Sequence, residues 1–264
     1  MIIPLLSICL FLTPLPIIQQ IRTLPTTDVD TEILVYDVSW LHIKIAALRI
    51  QILRHTEGAS SSIARTTIES DSTSHIANLH LTGCSEMDSM GNSMVYYSYE
   101  KKDKQWETML YEYHPELHCI LLTKNIQNNS QQRPLPSIKP DTLAAYSFPI
   151  QDGISLIYRL RSFVRKKGSL RMPTISMGKI GETQIYKERE TTTAEIDSCK
   201  YPVRVLKFSG KLHLEGIFGL NGDFDVWFSD DEESIPIVAK MKVLIGSIRI
   251  ELKQWNHGTW RPPA

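Results

Sequence analysis

The sequence predicts a mainly β protein: an antiparallel, strongly curved sheet or a partly open barrel or sandwich, with one principal amphipathic helix. Three observations predict it. Short runs alternate apolar and polar residues with a period of two, beginning at Leu34, Tyr36, Val38 and Trp40, the pattern of a half-buried strand. A single segment, 152–168, carries helical spacing with both ends marked. Near the carboxyl end the apolar phase slips by one residue at Gly246, as at a β-bulge or a sharp strand bend, and curvature follows.

The elements follow in order. After a polar lead-in over residues 19–31, the first strand loses its phase at Leu41-His42 and a second resumes at Leu48, Ile50 and Ile52, joined to the first by a tight turn or bend. Glu57-Gly58-Ala59-Ser60 is a turn signal, with a strand expected at 63–69. Residues 70–93, rich in Ser, Asp and Met, show no usable pattern. Val95, Tyr97 and Tyr99 alternate before the turn Lys101-Lys102-Asp103-Lys104, and Trp106–Tyr113 reads as the hairpin partner. His114-Pro115-Glu116 turns the chain into a strand from Leu117 to Thr123. Residues 125–140, rich in Asn, Gln and Pro, offer no apolar face and are expected as a linker between possible halves, 32–124 and 141–256, of one β domain spanning 32–256.

The helix begins at Asp152, a good N-cap. Leu156, Ile157, Leu160, Phe163 and Val164 form one apolar stripe. Arg165, Lys166 and Lys167 suit the negative carboxyl end, and Gly168 can close it. Beyond it, strands are expected at 203–208, 223–228, 236–245 and 248–255, the last two with apolar phases on odd and then even numbers.

Composition narrows the function classes. The 264 residues carry 29 Lys+Arg against 29 Asp+Glu, so the basic excess of a general nucleic-acid binder is missing. The hydrophobic fraction of 42% is too high for a disordered chain. Residues 1–18 are apolar and uncharged, and Pro4, Pro14 and Pro16 oppose a spanning helix. Residues 1–22 are therefore expected as a signal peptide or apolar anchor, although no Lys or Arg precedes the apolar core. A lipoprotein signal around Cys9 and an ordinary buried strand are the alternatives. Cys84, Cys119 and Cys199 have no CxxC spacing, so a zinc site is not expected; pairing between any two stays open.

No motif assembles a reaction. The acidic run Asp223, Asp225 and Asp230–Glu233 lacks calcium-loop spacing and reads as a solvated hairpin tip. The basic run from Arg159 to Arg171 reads either as a lipid-facing surface or as a helix packed by its apolar stripe, with docking on the acidic tip as a further possibility. His114 and His118 share helical spacing, but Pro115 between them spoils the helix. No GxSxG, P-loop or GxGxxG sequence is present. No catalytic residue, metal site or cofactor is expected.

Three stretches resemble the bacterial domain-of-unknown-function family 3108, a group of predicted exported proteins. Leu34–Leu41 resembles its opening strand, Gln151–Ser162 its helix motif, and Phe224–Asp231 with Ile235-Pro236 and Ile245–Arg249 its carboxyl-terminal hairpin. Two positions depart from the pattern: Gly153 stands where the family has Pro, and His42 where it has Gly. The resemblance implies a mostly β envelope protein, exported or periplasmic, and no catalytic residues. It marks Asp152, Tyr158, Arg161, Trp227 and Arg249 as candidate ligand-binding positions, with capping and packing the simpler roles for Asp152 and Trp227.

The function expected from these readings is non-enzymatic binding or shielding of an apolar, lipid-like ligand in the cell envelope. The alternative is a structural or assembly protein acting through an envelope protein partner. Membrane contact is expected only through the amino terminus.

Overall fold

A computed structural model describes residues 29–55, 61–70, 80–102, 104–128, 140–145, 147–166, 168–214, 221–243 and 245–264. The turn expected at Glu57–Ser60, the amino-terminal apolar segment and Cys9 lie outside them. Fourteen strands among these residues form one antiparallel sheet. They are β1 (Val29–Trp40), β2 (Ile43–His55), β3 (Ser61–Ser70), β4 (His80–Asp88), β5 (Ser93–Lys102), β6 (Gln105–His114), β7 (Cys119–Asn128), β8 (Asp141–Ala144), β9 (Leu170–Ser176), β10 (Lys179–Ala194), β11 (Val203–Leu212), β12 (Gly222–Ser229), β13 (Pro236–Lys242) and β14 (Ser247–Asn256). One helix, α1 (Gly153–Phe163), lies between β8 and β9.

The sheet order is β8-β7-β6-β5-β4-β3-β2-β1-β14-β13-β12-β11-β10-β9. The chain meanders outward from β1 to one edge, crosses through α1 to the other edge, and meanders back to lay β14 beside β1. Register shifts at Val35/Tyr36, Val38/Ser39, Glu86/Met87, Ile185/Arg189 and Trp227/Phe228 interrupt the ladders; such irregularities increase local twist and bend strands. The sheet curls until its edges approach, yet the ladder does not close. Instead Gln151 bridges the gap, donating from its N–H to Pro173 O and accepting from Ile175 N–H. Tyr111 Oη on β6 accepts from Gly178 N–H at 2.9 Å, tying the same two regions.

Because all the paired strands of the sheet are antiparallel, with only the isolated Gln151–Thr174 bridge parallel, the connections sort to two ends. The β1–β2, β5–β6, β9–β10 and β13–β14 turns share one end. The β4–β5, β6–β7 and β12–β13 turns share the other. The helix crosses this second end. Its residue Arg159 donates to Met90 O in the β4–β5 turn (2.8 Å), and Arg165 donates to Asp231 O in the β12–β13 turn (2.9 Å). Docking on the acidic tip thus takes place through carbonyl groups, with the apolar stripe turned to the sheet.

Four details of the sequence reading change. Gly246 lies in the turn between β13 and β14 at φ +79°, so the phase slip is a chain reversal and not a bulge within a strand. The inward residues of β5 are Ser93, Tyr96 and Ser98; Val95, Tyr97 and Tyr99 belong to the half-buried outer phase. β7 continues to Asn128, into the stretch expected as a linker. The unpatterned region 70–93 contains β4, whose buried Gly83, Cys84 and Ser85 leave no hydrophobic periodicity to read.

Candidate functional site

The concave face of the sheet does not fill itself. A cavity of about 600 Å3 lies between the sheet and α1, within the range of roughly 300–1,000 Å3 typical of ligand pockets. Its wall is mostly aliphatic and aromatic. Val38, Leu48, Ile50, Ile68 and Leu81 come from β1–β4, and Ile248 and Ile250 from β14. These are residues of the alternating inward phases. The helix supplies the floor with Ile154, Leu156 and Ile157. The room above Ile154 depends on Gly83, where a β-carbon would stand 3.3 Å from Ile154 Cδ1 and 3.4 Å from Tyr96 Oη.

The polar groups near the floor are held by one another. Asp152 is buried and caps α1: its Oδ1 accepts from the N–H groups of Ile154 (2.7 Å) and Ser155 (3.0 Å). Its Oδ2 accepts from Ser85 Oγ (2.6 Å) on β4 and Ser93 Oγ (2.8 Å) on β5. Burial raises the Asp152 carboxyl above the ordinary aspartate range, against the lowering effect of the Ser85, Ser155, Ser93 and Ile154 donors. All its strong acceptor directions are occupied, so its role is to fasten the helix start to β4 and β5. Burial likewise pushes the Tyr111 phenol up to about 12. That hydroxyl stays neutral and donates to Met109 Sδ at 3.2 Å.

A second polar cluster fixes the other end of α1. Arg161 donates from Nη1 and Nη2 to the two oxygens of Glu32, at 2.6 and 2.9 Å, and also to Glu233 O. His257 Nδ1 lies 3.1 Å from Glu32 Oε2, and its Nε2 lies 2.8 Å from Glu233 Oε2. The guanidinium sits 5.3 Å from the Tyr158 ring centroid, in cation–π range. Burial works against the Arg161 charge, but Glu32 outweighs it and holds the guanidinium above its ordinary value.

The five candidate positions therefore do not converge. Asp152 borders the cavity floor, while Tyr158 and Arg161 anchor the same helix farther along. Trp227 pairs with Val238 across β12–β13 and carries Lys207 Nζ 5.3 Å from its ring centroid. Arg249 alternates with the cavity residues Ile248 and Ile250, so it faces the other way; it pairs with Glu251 (2.6 Å) and donates to Glu195 O. The sequence reading did not single out Glu32, His257, Ser85 or Ser93. Of these only the Ser pair had a local cue, small residues where a helix must approach closely. Cys84, Cys119 and Cys199 are free thiols, and burial raises that of Cys84. Among the described residues no group of three or more His, Cys, Asp and Glu is placed to hold a metal ion.

Fold and site define a class: a curled antiparallel sheet, barrel-like but open along one seam, with a helix flooring an apolar cavity. The chain belongs to the family of proteins of unknown function DUF3108, whose model matches residues 35–253. Its fold is similar to the crystal structure of a beta-barrel-like protein of domain of unknown function DUF1849 from Brucella abortus, with a TM-score of 0.51 and 10% identity, over 87% of this chain and 98% of that one. No curated protein matches the chain at a significant level.

Proposed function

We propose that this protein is an exported, non-catalytic binder that holds or shields an apolar, lipid-like ligand in the cell envelope. The observation that carries this reading is the cavity of about 600 Å3, walled mainly by hydrocarbon side chains from both arms of the sheet, with Glu100 as the acid on its wall besides Asp152. An apolar pocket of this size gains by taking up apolar surface from water, at roughly 25 cal/mol per Å2. The polar side chains around the floor supply no competing chemistry, since Asp152 is saturated by its own fold. The uncharged apolar stretch 1–18 supports export.

The test is uptake of a dansyl-labelled long-chain fatty acid, followed by fluorescence. Saturable one-to-one uptake is expected. The double variant Leu48→Trp, Ile250→Trp fills the cavity from two sides and should abolish it while circular dichroism stays β. Absence of saturable uptake by the wild type, or equal uptake by the filled variant, overturns the reading.

A further inference from the structure

The helix closes one end of the curled sheet; the other end carries the mouth. Trp40, Ile45, Met177, Leu214 and Val243 line the cavity near the turns at this end. Around them stand side chains that a water-facing surface does not need. Ile245 is 64% exposed, Ile43 50% and Leu41 49%, and Met177 and Ile180 are also exposed. Five of the ten exposed large hydrophobic side chains among the described residues thus sit on or beside three hairpin tips at a single end. Those at the other end, Met90, Leu117 and Tyr201, lie on separate connections.

Two of the three tips are joined to each other. Trp40 Nε1–H donates to Ile245 O at 2.7 Å. A β-carbon on Gly246 would stand 2.6 Å from Leu41 Cδ2, so the β1–β2 and β13–β14 turns touch there. Aliphatic groups exposed together at one end suit an apolar partner.

Charge says which partner. Lys104, Lys179 and Lys242 are exposed at the same tips, and Lys101 is half-buried beside them. In sequence these four tips (40–44, 101–104, 177–180 and 242–247) hold six lysines against a single acid, Asp103. Of the acids farther down the strands, Asp37, Glu69 and Glu182 pair with Lys44, His80 and Arg171; the exposed Asp223 partly offsets the lysines. Aliphatic side chains ringed by lysines match the boundary between acyl chains and anionic headgroups. Each lysine near such a surface adds about 1 kcal/mol of attraction.

We propose that this end of the sheet docks on an anionic lipid bilayer, with Leu41, Ile43, Met177 and Ile245 entering the headgroup–acyl boundary and the cavity mouth facing the membrane. The inference rests on the reading that the cavity takes an apolar ligand, because docking would let such a ligand pass between bilayer and cavity without crossing water. The contact is a second membrane attachment, distinct from the amino-terminal apolar segment.

The test places a reporter at each end of the full chain. Ile245→Trp adds a tryptophan at the mouth, and Met90→Trp adds one at the helix end, over the same five native tryptophans. Both are mixed with phosphatidylcholine–phosphatidylglycerol vesicles whose acyl chains carry bromine, a contact quencher of indole. The mouth tryptophan should be quenched and the helix-end tryptophan not. Charge reversal by Lys104→Glu with Lys242→Glu should weaken mouth quenching about tenfold or more in lipid concentration, equivalent to about 1.4 kcal/mol. In phosphatidylcholine alone the quenching should fall to a similar degree. Equal quenching at both ends, as attachment through the amino terminus alone would give, overturns the proposal, and so does no quenching at either. Dansyl fatty-acid uptake, measured in parallel without vesicles, separates the two readings. Uptake without mouth quenching leaves the cavity reading standing and removes the docking; mouth quenching without uptake does the reverse.

Discussion

Arg161 on α1 grips both carboxylate oxygens of Glu32 on β1, across 129 residues of chain. The side chains are 9% and 3% exposed, so each charge has given up most of its hydration. Removing one partner from a buried pair typically costs about 3–5 kcal/mol, because the other is left uncompensated. Arg161→Met should therefore destabilise the fold by about this amount in urea titration. The double variant Arg161→Met, Glu32→Leu should recover a large part of it, since two apolar groups need no partner. A double variant as unstable as the single one would mean that the pair matters chiefly through its other partners, Glu233 O for Arg161 and His257 for Glu32.

Asp152 makes a pH-dependent contribution whose sign follows from its environment. Its folded-state carboxyl is raised above the ordinary value of 3.8, first by burial. Below that value both folded and unfolded chains hold the proton. As pH rises, the unfolded chain ionises first, so stability from this group falls through the window up to the raised folded value. Asp152→Asn keeps the Oδ1 acceptor for Ile154 and Ser155, and the Ser85 and Ser93 hydroxyls can turn to accept from Nδ2. The Asn variant should gain melting temperature relative to wild type as pH is raised from the acid side through this window. Parallel melting curves across that range would show that the carboxylate carries no such penalty. Asp152→Ala should lose roughly 0.5–2 kcal/mol for the cap, and more for the stranded serine hydroxyls.

How much of this was legible depended on how local the cause was. The start of the helix could be read because its cap and stripe lie within one segment, and Asp152 accepts from residues two and three positions on; its end falls at Phe163, five residues before the Gly168 expected to close it. β4 could not be read, because its centre is Gly83, Cys84 and Ser85, chosen for the approach of Ile154 and Asp152 rather than for apolar bulk. The facing of β5 was misread because tyrosines occupy both faces, and buried Ser93 and Ser98 look polar in sequence. The cavity left only the inward phases of its walls in the sequence. Nothing local pairs Glu32 with Arg161, or Trp40 with Ile245, since those contacts follow from the return of β14 to the side of β1.

At the two positions where the resemblance leads one to expect Gly and Pro, the backbone favours those residues. His42 sits at φ +68°, next to Leu41 at +48°, in the two-residue turn between β1 and β2. Both central residues of such a turn take left-handed angles, which glycine adopts without strain. Gly153 stands at the first helical position, where proline is favoured. A β-carbon there meets nothing within 4 Å, and Asp152 at φ −80° and ψ 176° already has the extended geometry that a following proline demands. Gly153→Pro should raise stability by about 0.4–1 kcal/mol by restricting the unfolded chain. His42→Gly removes about 1–2 kcal/mol of left-handed strain at the cost of about 0.5–1 kcal/mol of added unfolded-chain entropy, a net gain of up to about 1 kcal/mol. The sites lie at opposite ends of the sheet, so the gains should add in the double variant within about 0.5 kcal/mol. A loss of stability at either site in urea titration would refute the backbone argument for it.

Thr66 tests the character of the cavity wall itself. It lies on β3, 7% exposed, and lines the cavity. Its hydroxyl finds no protein partner. A buried hydroxyl without a hydrogen bond typically costs about 1–3 kcal/mol, and Val replaces it with a methyl group of nearly equal shape. Thr66→Val should then be neutral or stabilising by up to about 2 kcal/mol, whereas most buried substitutions destabilise by about 1. The same change makes the wall more hydrocarbon-like, so uptake of the dansyl fatty acid should be unchanged or tighter. Weaker uptake together with raised stability would mean that the hydroxyl serves the ligand, and that the bound molecule carries a polar group reaching β3. Lowered stability would mean that the oxygen is already satisfied within the fold.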